Sequence, residues 1–274
     1  MFRRETQKRT LPATVFVTVA LIFHLAIRDL RKSNGNAVLG LVMSIVQNVV
    51  MVCIMYFLFN LLGLRRVAVR GDFMLYVMSG VFMFTTHVAA IGAVSKADGP
   101  TSAMMMHSPM NPIVSICGAA LAILYQKTFS VLVILFVYHT FFNPIYVHEP
   151  VPLIGIFLLS WASGVGIGMV LRSARPWQPE FISILTTVLM RINVIASGKM
   201  VLANNTSPTI RSWFDWNPLF HIIDQGRGFI FQNYNPHYTT ISYALYVALT
   251  LIVIGLMAEF FTRQYASVSW GKRR

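Results

Sequence analysis

The sequence WFDWNPLFHIIDQGRGFIF, residues 213–231, lies between two long apolar runs and is too polar to cross a bilayer. Pro218 and the glycines interrupt regular helix, and the aromatic rings favour a membrane–water interface. We predict a short helix or helix pair that enters one face of a membrane. Irregular backbone at membrane depth persists only where protein buries it or where it lines a watery cavity. The stretch is therefore predicted to border such a cavity.

The composition of the whole chain is typical of a polytopic helical membrane protein. Of 274 residues, 56% are hydrophobic and 11% are charged, which is outside the range of soluble domains. We predict one all-α membrane domain over residues 1–274. Residues 1–35 would be cytoplasmic and interfacial, residues 36–262 would hold six spans, and residues 263–274 would form a basic cytoplasmic tail.

Six apolar segments are each near the roughly 20 residues that cross the hydrocarbon core. They cover residues 38–61, 73–94, 112–139, 153–171, 181–200 and 239–262. An even number of spans places both chain ends on one side, and the basic residues at those ends make that side cytoplasmic. Arg65, Arg66 and Arg70 oppose this orientation, because they fall in a loop that is predicted to lie outside.

Residues 11–27 are apolar but short, and a weak polar stripe at roughly helical spacing runs through and beyond them. The stripe consists of Thr14, Thr18, His24, Arg28 and Arg31. We predict an amphipathic helix on the cytoplasmic surface. The alternative is a seventh span.

The loop at residues 95–111 (SKADGPTSAMMMHSPMN) contains signals for a short helix. Asp98, Gly99 and Pro100 would begin it, and the three methionines Met104, Met105 and Met106 would then be exposed. Flexible, exposed methionines suit a protein–protein contact. The alternative is that they enter the membrane surface.

Gly164 and Gly168 lie four residues apart in the fourth span. Small residues at this spacing let two helices approach closely, so we predict helix packing there. The chain has no GxxxxGK[ST] phosphate-binding loop, so a nucleotide site of that kind is not predicted in it.

Three segments together resemble the membrane subunit of type 2 ABC exporters, in the branch that exports capsular polysaccharide, O-antigen and teichoic acids. Residues 28–40 resemble the basic stretch before the family's first span, through Arg28, Asp29, Arg31, Leu39 and Gly40. Residues 73–111 are similar to the second span and its cytoplasmic coupling loop. The family's re-entrant region is matched by Ser197, Gly198, Pro208, the run Trp216-Asn217-Pro218-Leu219, His221 and Arg227.

The resemblance implies a role for each of these segments. The surface helix would be a gate-type interfacial helix that includes His24, Arg28, Asp29 and Arg31. The ATPase-coupling helix would hold Asp98, Gly99, Pro100, Met104, Met105 and Met106. The pathway would be closed on the outer side by the re-entrant region, with Trp216, Asn217, Pro218, His221, Asp224 and Arg227.

The resemblance also implies partners and a location. Two copies of this chain, or one copy with a related subunit, would form the pathway in a bacterial inner membrane, with both termini cytoplasmic. They would dock on two copies of a separate ABC ATPase, which would bind ATP and Mg. This chain would have no catalytic residues, metal site or cofactor of its own. Periplasmic export components are further candidate partners, whereas nucleic acid is not expected.

Polar residues within spans are costly and tend to face a cavity or one another. Arg191 in the fifth span is the strongest pathway candidate, because it would meet anionic sugar or phosphate groups. The alternatives are a structural partner role beside Glu259 or Asp224, or a position nearer the membrane surface. Lys127 in the third span is a second candidate, although its side chain is long enough to reach an interface.

Neutral residues complete the predicted pathway. Gln47 and Asn48 in the first span either bond between helices or line the pathway. Tyr56 and Phe82 are candidates for stacking on sugar rings, with ordinary packing as the alternative.

The predicted function is therefore a permease subunit of an ATP-driven exporter of a polysaccharide or lipid-linked glycan. One alternative is a type 2 permease for a small molecule or a lipid. Another is an integral membrane transferase, for which Asp98 with His107 is the local candidate. The formal net charge of +13 is assigned to orientation and lipid headgroups, because many of the basic residues cluster at the chain ends.

Overall fold

A computed structural model describes residues 11–61, 63, 71–98 and 111–265, without the side chains of residues 11–14 and 32–34. Within those ranges the chain is helical and contains no strand. The helices are α1 (Leu11–Asn34), α2 (Ala37–Leu61), α3 (Phe73–Ser95), α4 (Pro112–Phe141), α5 (Pro150–Ala174), α6 (Pro179–Ala196), α7 (Pro208–Arg211), α8 (Pro218–Ile230) and α9 (Ile241–Tyr265). Six of them, α2 to α6 and α9, are long and apolar enough to cross a membrane. The predicted all-α fold and its six spans are confirmed.

The predicted end of the fifth span is wrong. We placed it at residue 200, but α6 ends at Ala196. Gly198 follows in a left-handed conformation with φ of 62°, which glycine adopts without the strain of a side chain. A Cβ on Gly198 would lie 2.2 Å from the Phe220 ring. The helix therefore stops there, and Lys199 and Met200 belong to the turn that leads toward α8.

Three spans run parallel to one another and form the centre of the bundle. α3 packs against α5, and α5 packs against α9, through small residues on both faces of α5. A Cβ on Gly164 would lie 2.4 Å from the backbone oxygen of His87 in α3. A Cβ on Gly255 of α9 would lie 2.6 Å from the Cβ of Met169 in α5. The predicted packing role of the small-residue motif in α5 is confirmed.

The other three spans, α2, α4 and α6, run in the opposite direction on the flanks of this centre. α2 and α4 are joined by a hydrogen bond from Asn48 Nδ2 to Ser130 Oγ at 2.8 Å. α6 packs on α3, where Met190 lies beside Gly92. We call the end where α3, α5 and α9 finish the Asp98 end, and the opposite end the α8 end.

α1 packs against the first half of α4. Leu25 is buried there, and a Cβ on Gly118 would lie 2.8 Å from its Cβ. The other side of α1 exposes Phe16, Val19 and Phe23. α1 is not among the helices with the length and hydropathy of a span, and its position on a membrane surface stays a prediction.

Candidate functional site

The loop before α8 and the end of α6 are joined by the side chain of Asn217. Its Oδ1 accepts a hydrogen bond from the backbone N–H of Leu219 at 3.0 Å, which caps α8, and Pro218 occupies the first turn. Its Nδ2 donates to the Asn193 side chain at 2.9 Å and to the Ala196 carbonyl at 3.0 Å. One buried amide thus ends α6 and begins α8.

His221 joins the residues on either side of α8. Its Nδ1 accepts a hydrogen bond from the backbone N–H of Thr240 at 3.1 Å. Its Nε2 lies 2.9 Å from the Asp215 carbonyl and is the donor of that bond. Its ring also lies 4.6 Å from the Tyr243 ring of α9. His221 is therefore fully engaged as a structural tie, whereas Trp216 beside it is exposed.

Asp224 is buried and surrounded by neutral donors. Its carboxylate accepts hydrogen bonds from the hydroxyls of Tyr234 at 2.5 Å and Thr239 at 2.8 Å, and from the backbone N–H of Ala203 at 3.1 Å. Burial and the nearby Asp224 charge raise the pKa of the Tyr234 phenol, so the phenol stays a donor. These bonds fasten the segments before and after α8 to the helix.

Arg227 is fully buried, and backbone carbonyls accept hydrogen bonds from both of its terminal nitrogens. Nη1 donates to the Val201 carbonyl at 2.6 Å, and Nη2 donates to the Lys199 carbonyl. The guanidinium also lies 4.1 Å from the centre of the Tyr76 ring in α3, a cation–π distance. Arg227 therefore fixes the turn after α6 against α3 and α8. We call Asn217, His221, Asp224 and Arg227, with these partners, the α8 cluster.

Lys199 is a buried cation that the sequence reading did not single out. Its side chain is 3% exposed, and its Nζ lies 3.8 Å from the centre of the Phe84 ring. Its ammonium has no hydrogen-bond partner among the described residues. Burial lowers the pKa of Lys199 to about 8. The signal was present, because a lysine directly follows an apolar span and a glycine.

A second set of charges, partly buried, lies at the Asp98 end. Arg28 of α1 contacts the Asp98 carboxylate at 2.7 Å and the Asp29 carboxylate at 3.0 Å. Burial lowers the pKa of Arg28, but hydrogen bonds to the two carboxylates outweigh this effect and raise it. His24 and Arg31 are exposed on the same helix. Of the predicted interfacial residues, the structure brings Arg28 and Asp29 to Asp98.

Arg172 of α5 extends this set across the bundle. Its Nη1 pairs with the Glu259 carboxylate of α9 at 2.6 Å, and both side chains are buried. Its Nη2 donates to the backbone carbonyl of Asp98 at 2.5 Å. Asp98 thus joins α1, α3, α5 and α9. We call Arg28, Asp98, Arg172 and Glu259 the Asp98 cluster.

The sequence reading missed the pair between Arg172 and Glu259, although an acid within the last span was a visible signal. The alternative that Arg191 pairs with Glu259 or Asp224 is wrong. Glu259 is held by Arg172, and Asp224 is held by hydroxyls and a backbone N–H.

The remaining coupling residues lie outside the described part of the chain. Gly99, Pro100, Met104, Met105 and Met106 are in this group, as are His107 of the transferase alternative and the arginines at positions 65, 66 and 70. Asp98 is the last described residue before that loop. The predicted coupling helix therefore stays a prediction.

Arg191 belongs to a polar stripe on the outer surface of α6. The stripe consists of Glu180, Ser183, Thr187 and Arg191, spaced three and four residues apart and all exposed. This spacing places them on one helix face. The neighbouring face of α6 exposes apolar side chains such as Phe181 and Ile192. A charged group on the open face of a span is costly in hydrocarbon, which indicates that this face meets water or another protein.

The other predicted pathway residues do not gather around Arg191. Lys127 and Asn48 are buried, and Lys127 Nζ lies 3.5 Å from Asn48 Oδ1. Gln47 is exposed on α2. Tyr56 is half-buried and lies 5.8 Å from the Phe73 ring, and Phe82 is buried in the core. The structure thus favours an interhelical bond for Asn48 and packing for Phe82.

The chemistry of the described residues is that of binding and support. They contain no group of three or more histidine, cysteine, aspartate or glutamate side chains that could hold a metal ion. The charged side chains of the two clusters are bonded mainly within the protein, whereas Glu180 and Arg191 of the α6 stripe are exposed. No protein-family model matches the chain, and no curated protein matches it in sequence.

Proposed function

We propose that this chain is the transmembrane permease subunit of an ATP-driven exporter that moves a polysaccharide or lipid-linked glycan across the bacterial inner membrane. The observation that carries the proposal is the exposed polar stripe on α6. Hydroxyls and charges along one face of a span suit a passage for a hydroxyl-rich solute, because they exchange hydrogen bonds with it as it moves. Arg191 would contact anionic groups of that solute.

Two copies of the chain would enclose this passage, with their α6 stripes facing each other. Enclosure in a dimer removes Arg191 from hydrocarbon, where a lone arginine at mid-span costs roughly 2.5–3.5 kcal/mol on insertion scales. Glu180 and Arg191 lie at different levels of α6. The passage would therefore carry a carboxylate at the Asp98 end and a guanidinium further along.

The energy source would be a separate ABC ATPase docked at the Asp98 end. Support comes from the resemblance of residues 73–111 to a coupling loop and from the bonds of Asp98 to α1 and α5. A force on the loop after Asp98 would reach α1 through Arg28 and α9 through Arg172 and Glu259. The α8 cluster would brace the opposite, outer end of the passage.

Thiol accessibility tests the passage. In a background with Cys53 and Cys117 replaced by serine, Ser183→Cys and Thr187→Cys place thiols on the stripe. Phe181→Cys and Ile192→Cys are the controls, because both residues are exposed on a different face of α6. We expect a charged, membrane-impermeant thiol reagent to modify the stripe variants faster than the controls. Equal modification rates for the stripe and control variants would show that α6 does not line the passage. Disulfide cross-linking between two Thr187→Cys chains, but no reaction with the reagent, would make the stripe a dry dimer contact.

The ATPase partner is tested separately. The chain is co-expressed with the ABC ATPase encoded beside its gene, and ATP hydrolysis of the purified complex is measured with and without replacement of residues 98–106. We expect a stable complex that the replacement dissociates or uncouples. Failure to isolate any complex would overturn the exporter proposal, even if the α6 stripe is accessible.

A further inference from the structure

A deep apolar groove lies between α4 and α5 in the half of the bundle nearest the α8 end. Its volume is about 440 Å³, within the roughly 300–1,000 Å³ of protein ligand pockets. α3 forms its floor, with Leu75, Met78 and Phe82. Leu132 of α4 and Ile154 of α5 stand on its two walls and are exposed at its rim. The groove therefore opens on the outer surface of two spans, where hydrocarbon chains are the available occupants.

A polar pocket of about 300 Å³ adjoins one end of this groove. Leu75, Ile145 and Ile230 line both spaces, so the two are adjacent. The polar groups of the smaller space are contributed by Asp72, Tyr146, His148, Gln232 and Asn233. The surface thus changes from apolar to hydrogen-bonding where α3 begins and α4 ends. This change matches an amphiphile with its chain in the groove and its headgroup at the membrane–water boundary.

The polar pocket is built around a fixed carboxylate. Asp72 Oδ1 accepts a hydrogen bond from the Met74 backbone N–H at 2.8 Å, and Oδ2 accepts one from the Tyr138 hydroxyl at 2.5 Å. Glu149 follows His148 directly, and their side chains lie 3.9 Å apart. Among the described lining residues there is no lysine or arginine. The Asp72 carboxylate complements a cationic amine and opposes an anionic headgroup.

We propose that the groove and its polar pocket bind one phospholipid with an amine headgroup, such as phosphatidylethanolamine. One acyl chain fills the space between α4 and α5, and the ammonium group lies at Asp72. His148, Gln232 and Asn233 supply hydrogen bonds for the phosphate and ester oxygens. The bound lipid would fill the gap between α4 and α5, which both pack on α3. This site does not depend on the exporter proposal.

Native mass spectrometry of the full chain in detergent tests the headgroup. Phosphatidylethanolamine and phosphatidylglycerol with identical acyl chains are titrated separately. We expect the amine lipid to bind about tenfold more tightly, the ratio for one charge-assisted contact. Asp72→Asn should abolish the preference, because asparagine still caps α3 but lacks the charge. Equal or tighter binding of phosphatidylglycerol to the unmodified chain would overturn the assignment.

Filling the groove tests the acyl-chain site. Leu132→Trp combined with Ile154→Trp places large rings over the groove from both walls. Leu121→Trp combined with Val151→Trp is the matched control, because both residues are exposed on the same two helices but do not line the groove. We expect the groove variant to lose bound phosphatidylethanolamine and the control to retain it. Equal lipid retention by the two variants would refute the groove as the site.

Discussion

The α8 cluster and the Asp98 cluster both bury charges near the ends of the bundle, but they satisfy those charges in different ways. In the α8 cluster, neutral groups surround each charge: hydroxyls and an N–H at Asp224, and carbonyls and a ring at Arg227. In the Asp98 cluster, cations meet carboxylates of other helices, as Arg172 meets Glu259. The first cluster therefore braces one compact segment, whereas the second links four helices.

The removal of one partner from the buried ion pair should give the largest effect. Glu259→Leu leaves the Arg172 charge buried without its carboxylate, which costs roughly 3–5 kcal/mol of folding stability. Arg172→Met combined with Glu259→Leu should recover part of this loss. Thermal unfolding of Glu259→Leu, Arg172→Met and the double variant in detergent measures the coupling. Additive losses in the double variant would show that the pair does not join α5 to α9 energetically.

Arg227→Met should have the next largest effect. It leaves the carbonyls of Lys199 and Val201 buried without their donor, at a cost of about 3 kcal/mol. Arg211→Met is the control, because Arg211 is only partly buried and contacts the Tyr238 ring. The measurement is the unfolding temperature of both variants. Equal losses would contradict the view that carbonyl coordination braces α8.

Two glycine-to-alanine substitutions compare the packing near the two ends of α3. Gly80→Ala places a Cβ 2.9 Å from Arg227 Nη2 and 3.0 Å from the Lys199 carbonyl. We expect a loss of about 1–3 kcal/mol from overpacking. The Cβ of Gly92→Ala lies 3.8 Å from Met190, an ordinary contact, so this variant should be neutral or slightly more stable. The measurement is the unfolding temperature of each variant. Equal changes in the two variants would contradict a tight fit of α3 against the α8 cluster.

Lys199 should make folding stability depend on pH. Its pKa is lowered to about 8 in the folded protein by burial, against an ordinary value near 10.5. Between these values the unfolded chain binds more protons, so this contribution to stability rises with pH, by at most about 1.4 kcal/mol per pH unit. The same contribution is lost as pH falls from about 10.5 to about 8. Unfolding temperatures at pH 7.5 and 9.5 should differ less in Lys199→Met, and an unchanged difference would refute the assignment.

Arg28→Gln should cost the least stability, because its pair with Asp98 is partly exposed and such pairs contribute about 1 kcal/mol or less. Its effect should appear in function instead. In the complex with the ATPase, we expect ATP hydrolysis to lose its dependence on transported substrate. Arg31→Gln, on the exposed side of α1, is the control. Equal substrate dependence of ATP hydrolysis in the two variants would show that the contact of Arg28 with Asp98 does not couple α1 to the ATPase.

The spans were predictable because hydrophobic length is a local property. Five of the six predicted segments agree with their helices to within three residues at each end, from α2 to α9. The end of α6 was not predictable in the same way. Gly198 and Lys199 mark a possible end in the sequence, but the contact of Phe220 with Gly198 and the bond from Asn217 to the Ala196 carbonyl, which fix the end at Ala196, form only in the folded chain.

The sequence singles out the polar residues of the α8 segment as a group, but it does not show their partners. The sequence shows that His221, Asp224 and Arg227 are too polar for a span. It does not show that Tyr234 and Thr239, from beyond α8, donate to Asp224, or that carbonyls after α6 receive Arg227. Such bonds join positions 10 to 28 residues apart, and their geometry arises only when the chain is folded.

The sequence alone is enough to predict the helical class, the six apolar spans and one polar segment between the last two spans. These follow from hydrocarbon length and from the cost of exposing polar groups to lipid. Only the folded structure shows that Arg172 pairs with Glu259 and that Arg28 pairs with Asp98. It also shows that Arg191 is exposed on the α6 stripe. A buried charge without a partner costs folding free energy, and the packing of distant helices brings such partners into contact.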